Sequence, residues 1–172
     1  GIAGDKIDGG DDTDTVNYQQ LNSGINVTLN SSTYATVTVG TTTHEIKDIE
    51  NITGTSSKDI IIGDIENNSL FGGANDDTLG GGTGINTLDG GTGKDTLTYD
   101  YDAVSNVALT INLHDGVVTG TNILDTVTNI ENVIAGNKDD KIIMASEDSL
   151  KNNTLLYNNT IVDGSGGGVY EN

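Results

Sequence analysis

The chain has 172 residues, 26 of them acidic and 7 basic, for a formal net charge of −19. A surface that acidic repels nucleic acid and anionic membrane, which excludes both as partners. With 4% aromatic and 33% hydrophobic residues such a chain stays unfolded unless something offsets the charge; it has no cysteine to staple it and no apolar run long enough to insert into a membrane as a helix.

The opening stretch, residues 1–17, reads as two nine-residue frames, the first lacking its leading glycine. Asp5 and Ile7 hold the sixth and eighth places of one, and Asp14 and Val16 hold those of the next. The chain opens in mid-frame with no signal peptide in view, so it reads as a segment whose targeting signals lie elsewhere. From Tyr18 to Thr53 the glycine pattern stops, and Ile25, Val27 and Leu29, then Val37 and Val39, alternate with polar residues. That period of two predicts half-buried strands.

Residues 54–98 form five consecutive frames without insertion or deletion: GTSSKDIII, GDIENNSLF, GGANDDTLG, GGTGINTLD and GGTGKDTLT. Glycines lead each frame or most of its turn, where they permit tight turns at positive φ. The eighth place is always aliphatic (Ile61, Leu70, Leu79, Leu88, Leu97), and the sixth is always Asp or Asn (Asp59, Asn68, Asp77, Asn86, Asp95). A short strand with its middle side chain turned inward follows from the alternation of strand side chains. One such frame has a single apolar residue and cannot build a core alone, so the frames must stack.

Residues 99–134 echo residues 18–53. Asp14 to Tyr18 matches Asp95 to Tyr99, Ile46 to Ile52 matches Val127 to Val133, and Asp59 and Ile61 match Asp140 and Ile142, each pair 81 residues apart. Because 81 is nine times nine, the irregular segments keep the phase of the array, and they are expected to continue the stack as less regular turns of longer strands. Residues 135–172 decay: Ala135 to Ile143 is a degenerate frame, Asn153-Thr154-Leu155 and Asn159-Thr160-Ile161 keep only a polar-x-aliphatic kernel, and Gly164 to Gly168 reads as a linker. Helical periodicity shows weakly at Ser146 to Lys151 and nowhere else.

The spacing G-G-x-G-x-D-x-U-x, complete in Gly90, Gly91, Gly93, Asp95 and Leu97, is the calcium-binding nonapeptide of repeats-in-toxin proteins, and the chain resembles that family over residues 54–98. The resemblance implies an all-β fold: a right-handed parallel β-roll, or β-solenoid, with 18-residue coils. It implies Ca²⁺ as the cofactor, held by sixth-place carboxylates and by second- and fourth-place carbonyls. On one side these are Asp59, Asp77 and Asp95 with the carbonyls of Gly73, Asn75, Gly91 and Gly93. On the other they are Asn68 and Asn86 with the carbonyls of Gly82 and Gly84; amides replace carboxylates there and calcium is expected to be weak or absent. Asp14 and Asp140 hold the sixth place in the flanking frames.

Residues 18 apart stack about 5 Å from each other in such a ladder. Like charges there repel by roughly 1 kcal/mol in water and several times that at a partly buried site; a bridging Ca²⁺ reverses the sign. Catalytic motifs fail their own spacing. His44-Glu45 has Asp48 where a zinc-protease helix needs its second histidine, and Gly93-Lys94 has Leu88 and Asp95 where a phosphate loop needs Gly and Ser or Thr. His114 has no partner at zinc-site spacing. The expected function is that of a non-enzymatic calcium-binding segment of a secreted bacterial protein, exported by Gram-negative type I secretion. It would fold outside the cell as scaffold of a surface layer or adhesin, with other copies or cell-surface polysaccharide as further partners. An accessory module of a secreted protease, lipase, alginate epimerase or toxin is the alternative.

Overall fold

A computed structural model describes residues 4–101, 104, 106–144, 160–163 and 169–171. The opening frames give β1 (Lys6–Asp8) and β2 (Thr15–Asn17), and the first irregular segment gives β3 (Ile25–Thr28), β4 (Ala35–Val39), β5 (Thr42–Lys47) and β6 (Asn51–Thr53). The array forms β7 (Ile60–Ile62), β8 (Ser69–Ala74), β9 (Thr78–Gly80), β10 (Thr87–Thr92) and β11 (Thr96–Thr98). Then come β12 (Thr110–Asn112), β13 (Val117–Gly120), β14 (Ile123–Thr128), β15 (Asn132–Ile134), β16 (Lys141–Met144), β17 (Thr160–Asp163) and β18 (Val169–Glu171). No helix occurs among the described residues. The fold is all-β.

The strands lie in two mixed, mostly parallel sheets. One runs β1-β5-β4-β3-β7-β9-β11-β15 and the other β18-β17-β16-β12-β13-β14-β10-β8-β6-β2. Consecutive frames of the array go to alternate sheets, and every second frame pairs in parallel at a register of 18: Ile61 faces Leu79, Leu79 faces Leu97, and Leu70 faces Leu88. The eighth-place residues Ile61, Leu70, Leu79, Leu88 and Leu97 are all at most 1% exposed and share one core with Ile52, Val133 and Ile142. Each buried aliphatic of this kind contributes roughly 1.5–3 kcal/mol, so the two facing rows of single residues help hold the sheets face to face across the array.

The irregular segments stay in the stack, but as antiparallel meanders and not as parallel turns. In the first, β3 pairs in parallel with β7, then β4 and β5 fold back antiparallel, and β5 pairs in parallel with β1. In the second, β12, β13 and β14 do the same between β16 and β10. Two reversals restore the original chain direction, which is why the phase survives although the strands between run the other way. The physical origin is local. Val39 and Thr42 are joined by the two-residue turn Gly40-Thr41, and Gly120 and Ile123 by Thr121-Asn122, both hairpin-length connections. Because 81 residues is an odd number of frames, the second meander falls in the opposite sheet from the first.

The alternation predicts how the array tolerates deletion. Removing residues 63–80 takes one strand from each sheet and leaves every remaining frame on its own side; removing 72–80 sends all later frames to the wrong sheet. Thermal melting should show the 18-residue deletion folded and the nine-residue deletion strongly destabilised, and equal damage from both would contradict the pairing described. The expected helical turn at Ser146 to Lys151, the Asn153-Thr154-Leu155 kernel and the linker at Gly164 to Gly168 lie outside the described residues.

Candidate metal centre

Each x-aliphatic-x strand that buries its eighth-place side chain also fixes the residue two before it. In register, these sixth-place residues form two columns. In the first sheet Asp59 on the β7 row faces Asp77 on the β9 row and Asp95 on the β11 row; in the second Asn68 faces Asn86. All five are at most 3% exposed. Their side chains fold back toward the turn instead of out to water, and this is what the leading glycine is for: a Cβ placed on Gly72 would stand 2.6 Å from Asp77 Oδ2.

Each column is joined by one repeated hydrogen bond. The N–H of Asp59 donates to Asp77 Oδ1 at 2.7 Å, that of Asp77 to Asp95 Oδ1 at 2.8 Å, and that of Asn68 to Asn86 Oδ1 at 2.8 Å. The second oxygens differ. Asp77 Oδ2 and Asp95 Oδ2 are buried with no hydrogen-bond partner. Asp59 Oδ2 instead accepts the Thr55 N–H at 2.6 Å, while its Oδ1 accepts Ile25 N–H and the Thr55 hydroxyl. Where Thr55 stands in place of the second glycine, its hydroxyl and N–H satisfy the carboxylate of its own frame.

Burial pushes the Asp77 carboxyl up to about 7, with Asp59, Asp95 and Asp76 adding to the rise and the Asp59 N–H opposing it. Burial likewise raises Asp59, and Asp95 is raised by burial and then by Glu131, Asp76 and Asp89. The column therefore holds carboxylates whose charged form is poorly solvated, facing one another.

The carbonyls expected as ligands run along the stack. Gly73 and Gly91 have φ of 117° and 93°, and a Cβ on Gly91 would collide with the Gly73 carbonyl oxygen, as one on Gly93 would with that of Asn75. Asn75 Nδ2 donates to the Ser56 carbonyl at 2.6 Å. Opposite, the turn of residues 81–86 is tied to the second irregular segment, residues 99–134. Gly82 N–H donates to the Tyr101 hydroxyl, Gly84 N–H to the Asn122 carbonyl, and the Gly84 carbonyl accepts Leu124 N–H at 3.0 Å. Asp14 lies in the second sheet's column, its N–H donating to Glu50 Oε2 at 2.8 Å, and Asp140 Oδ1 accepts Leu109 N–H at 2.8 Å. So the structure brings Asp59, Asp77 and Asp95 into one column with Gly73, Asn75, Gly91 and Gly93 at its turns. Asn86, Gly82 and Gly84 gather on the other side, and Asp14 and Asp140 stand at separate places along the second column.

Three residues of the columns were missed in the sequence reading. Asp125, on β14, sits in register with Asn86: its Oδ1 accepts Asn86 Nδ2 at 2.8 Å and its Oδ2 accepts the Tyr99 hydroxyl at 2.5 Å. It is wholly buried, and burial raises its carboxyl and the Tyr99 phenol alike. The same place 81 residues earlier holds His44, whose Nε2 is 2.7 Å from the Tyr18 hydroxyl. Glu50 and Glu131 continue the columns at β6 and β15; counting frames of nine through the irregular segments puts both at a sixth place. Asp125 carried no such signal, because a meander lies between it and Asn86. Among the described residues no three His, Cys, Asp or Glu side chains converge as a ready-made metal cluster. No protein-family model matches the chain, and no curated protein matches it.

Proposed function

We propose that the chain is a calcium-binding parallel β-roll of the repeats-in-toxin type, which condenses on calcium outside the cell and serves as scaffold in a surface layer or adhesin. The observation that carries the reading is the pair of buried, unpartnered carboxylate oxygens, Asp77 Oδ2 and Asp95 Oδ2, in adjacent rungs of one column. An isolated buried carboxylate costs several kcal/mol unless it is protonated or paired. Among the described residues no lysine approaches these two carboxylates as an ion-pair partner; the ion pairs there join Lys6 to Glu45 and Lys47 to Asp8 and Asp48, near β1 and β5. A hard divalent cation with oxygen ligands suits what remains.

Asp77 and Asp95 would hold the ion, with Asp59 as the last rung and the carbonyls of Gly73, Asn75, Gly91 and Gly93 as neutral oxygens beside it. Bound calcium supplies positive charge where the column concentrates negative charge. The residues do the rest: the eighth-place aliphatics exclude water from below, and the N–H to Oδ1 links fix the spacing of the rungs. With the ligands scattered in the unfolded chain, binding free energy becomes folding free energy. A chain of net charge −19 would then be weakly folded, and so exportable, in low calcium and would gain its full order at about millimolar calcium outside.

Circular dichroism and thermal melting of the metal-stripped chain, titrated with calcium and in parallel with magnesium, test this. Calcium is expected to raise both β-content and melting temperature, and magnesium much less, since it demands a small octahedral cage and retains its waters. Identical β-content and melting with and without calcium would end the proposal.

A further inference from the structure

Resting on the calcium reading, we infer that Glu131 and Glu50 each complete a further calcium seat, Glu131 with Asp95 and Glu50 with Asp14, where a meander passes back into a regular frame. The register places them. Thr96 pairs with Asn132 as Thr78 pairs with Thr96, so Glu131 stands to Asp95 as Asp95 stands to Asp77. Thr15 pairs with Asn51, which sets Glu50 against Asp14 in the same way.

The linking hydrogen bond is reproduced as well. Asp95 N–H donates to Glu131 Oε2 at 2.8 Å and Asp14 N–H to Glu50 Oε2 at 2.8 Å, the bond that an aspartate Oδ1 accepts within the array. In both frames a glutamate holds the sixth place and the leading glycine is gone. The first places of these two frames are Glu45 and Thr126, which belong to the last strands of the meanders, and one more methylene carries the carboxylate to the same N–H.

Capping that N–H needs one oxygen and no charge. A second observation points beyond a cap. Asp95 is 0% exposed and its Oδ2 has no partner, and the Asp14 Oδ2 atom is buried without one too. The groups whose charge bears on Asp95 are the carboxyls of Glu131, Asp76 and Asp89, with no cationic side chain among them. The pair recurs after 81 residues in the opposite sheet, with the same register, the same hydrogen bond and the same unpartnered oxygen. Two more cations, one per repeat, balance it.

The test is calcium stoichiometry by equilibrium dialysis, with melting temperature measured metal-free and at saturating calcium, on the full chain and on Glu131→Gln, Glu50→Gln and Glu131→Asp. Glu66→Gln, in an exposed turn, is the control. The glutamine amide still accepts the Asp95 N–H, so Glu131→Gln removes charge and keeps the cap. Glu131→Gln and Glu50→Gln are each expected to lose one calcium or bind it about tenfold more weakly. Their calcium-induced melting gain should shrink, Glu131→Asp should keep the ion, and Glu66→Gln should match the parent. A parent chain that binds calcium while Glu131→Gln and Glu50→Gln keep the full complement and gain would overturn this inference and leave the Asp77–Asp95 seat standing. A parent chain that binds none would overturn both.

Discussion

Asp77→Asn is expected to remove most of the calcium-induced rise in melting temperature, and at neutral pH to make the metal-free chain more stable than the parent. Both effects follow from one carboxylate. The amide keeps an Oδ1 to accept the Asp59 N–H, so the column stays linked as it is at Asn68 and Asn86. What is lost is the charge: the buried, unpartnered Oδ2 that disfavours the metal-free fold and recruits the ion. Asn86→Ala is the comparison. Asn86 Oδ1 accepts the Asn68 N–H and its Nδ2 donates to Asp125 and the Thr83 carbonyl, so its removal leaves a buried carboxylate and a buried N–H short of partners. That should cost roughly 1–3 kcal/mol with or without calcium and leave the calcium gain in place. Calcium responses of equal size in Asp77→Asn and the parent, measured by melting at limiting calcium, would sink the assignment of Asp77.

The second large effect is a dependence on pH that runs opposite to ordinary acid denaturation. Burial, with its neighbours' charge, raises Asp77 from 3.8 when unfolded to about 7 when folded. Between those values the folded chain binds a proton that the unfolded chain does not, so stability falls as pH rises through the window. Asp59, Asp95, Asp125 and Asp140 are raised in the same direction and act with it. His44 works the other way: burial lowers its pKa, so it favours the folded state as pH rises. Metal-stripped protein should therefore melt higher near pH 5 than near pH 7.5, with the difference reduced in Asp77→Asn. Calcium competes with the proton for the same oxygens and should flatten the decline. A metal-free melting temperature that climbs steadily from pH 5 to 7.5 would show that the carboxylate column does not govern stability.

The parts of the fold legible in sequence are those where one residue type answers one local demand. An aliphatic at every ninth position had to face a common core, and Ile61, Leu70, Leu79, Leu88 and Leu97 do. The constancy of phase also located β6, β15 and β16 on their proper sides, because a frame's parity decides its sheet. What escaped was direction. The alternation at Ile25, Val27, Val37 and Val39 says that these residues lie in half-buried strands, but a period of two is the same whichever way the strand runs. The meanders depended on turns such as Gly40-Thr41 closing between two such runs. Asp125 escaped for the same reason: it reaches Asn86 through an antiparallel detour of 39 residues, which is not a whole number of frames. Glu50 and Glu131 were within reach, since their frames fall in phase, but a search for Asp and Asn at the sixth place passes over the longer acid.

The most direct measurement is calcium anomalous scattering from crystals of the chain grown with calcium. Density is expected between the loops of Asp77 and Asp95 in the first column, and weak density or none between those of Asn68 and Asn86 in the second. Carboxylates there offer charge that amides lack, and the Gly84 carbonyl already accepts the Leu124 N–H. A fully occupied calcium beside Asn68 and Asn86, with none beside Asp77 and Asp95, would contradict this expectation.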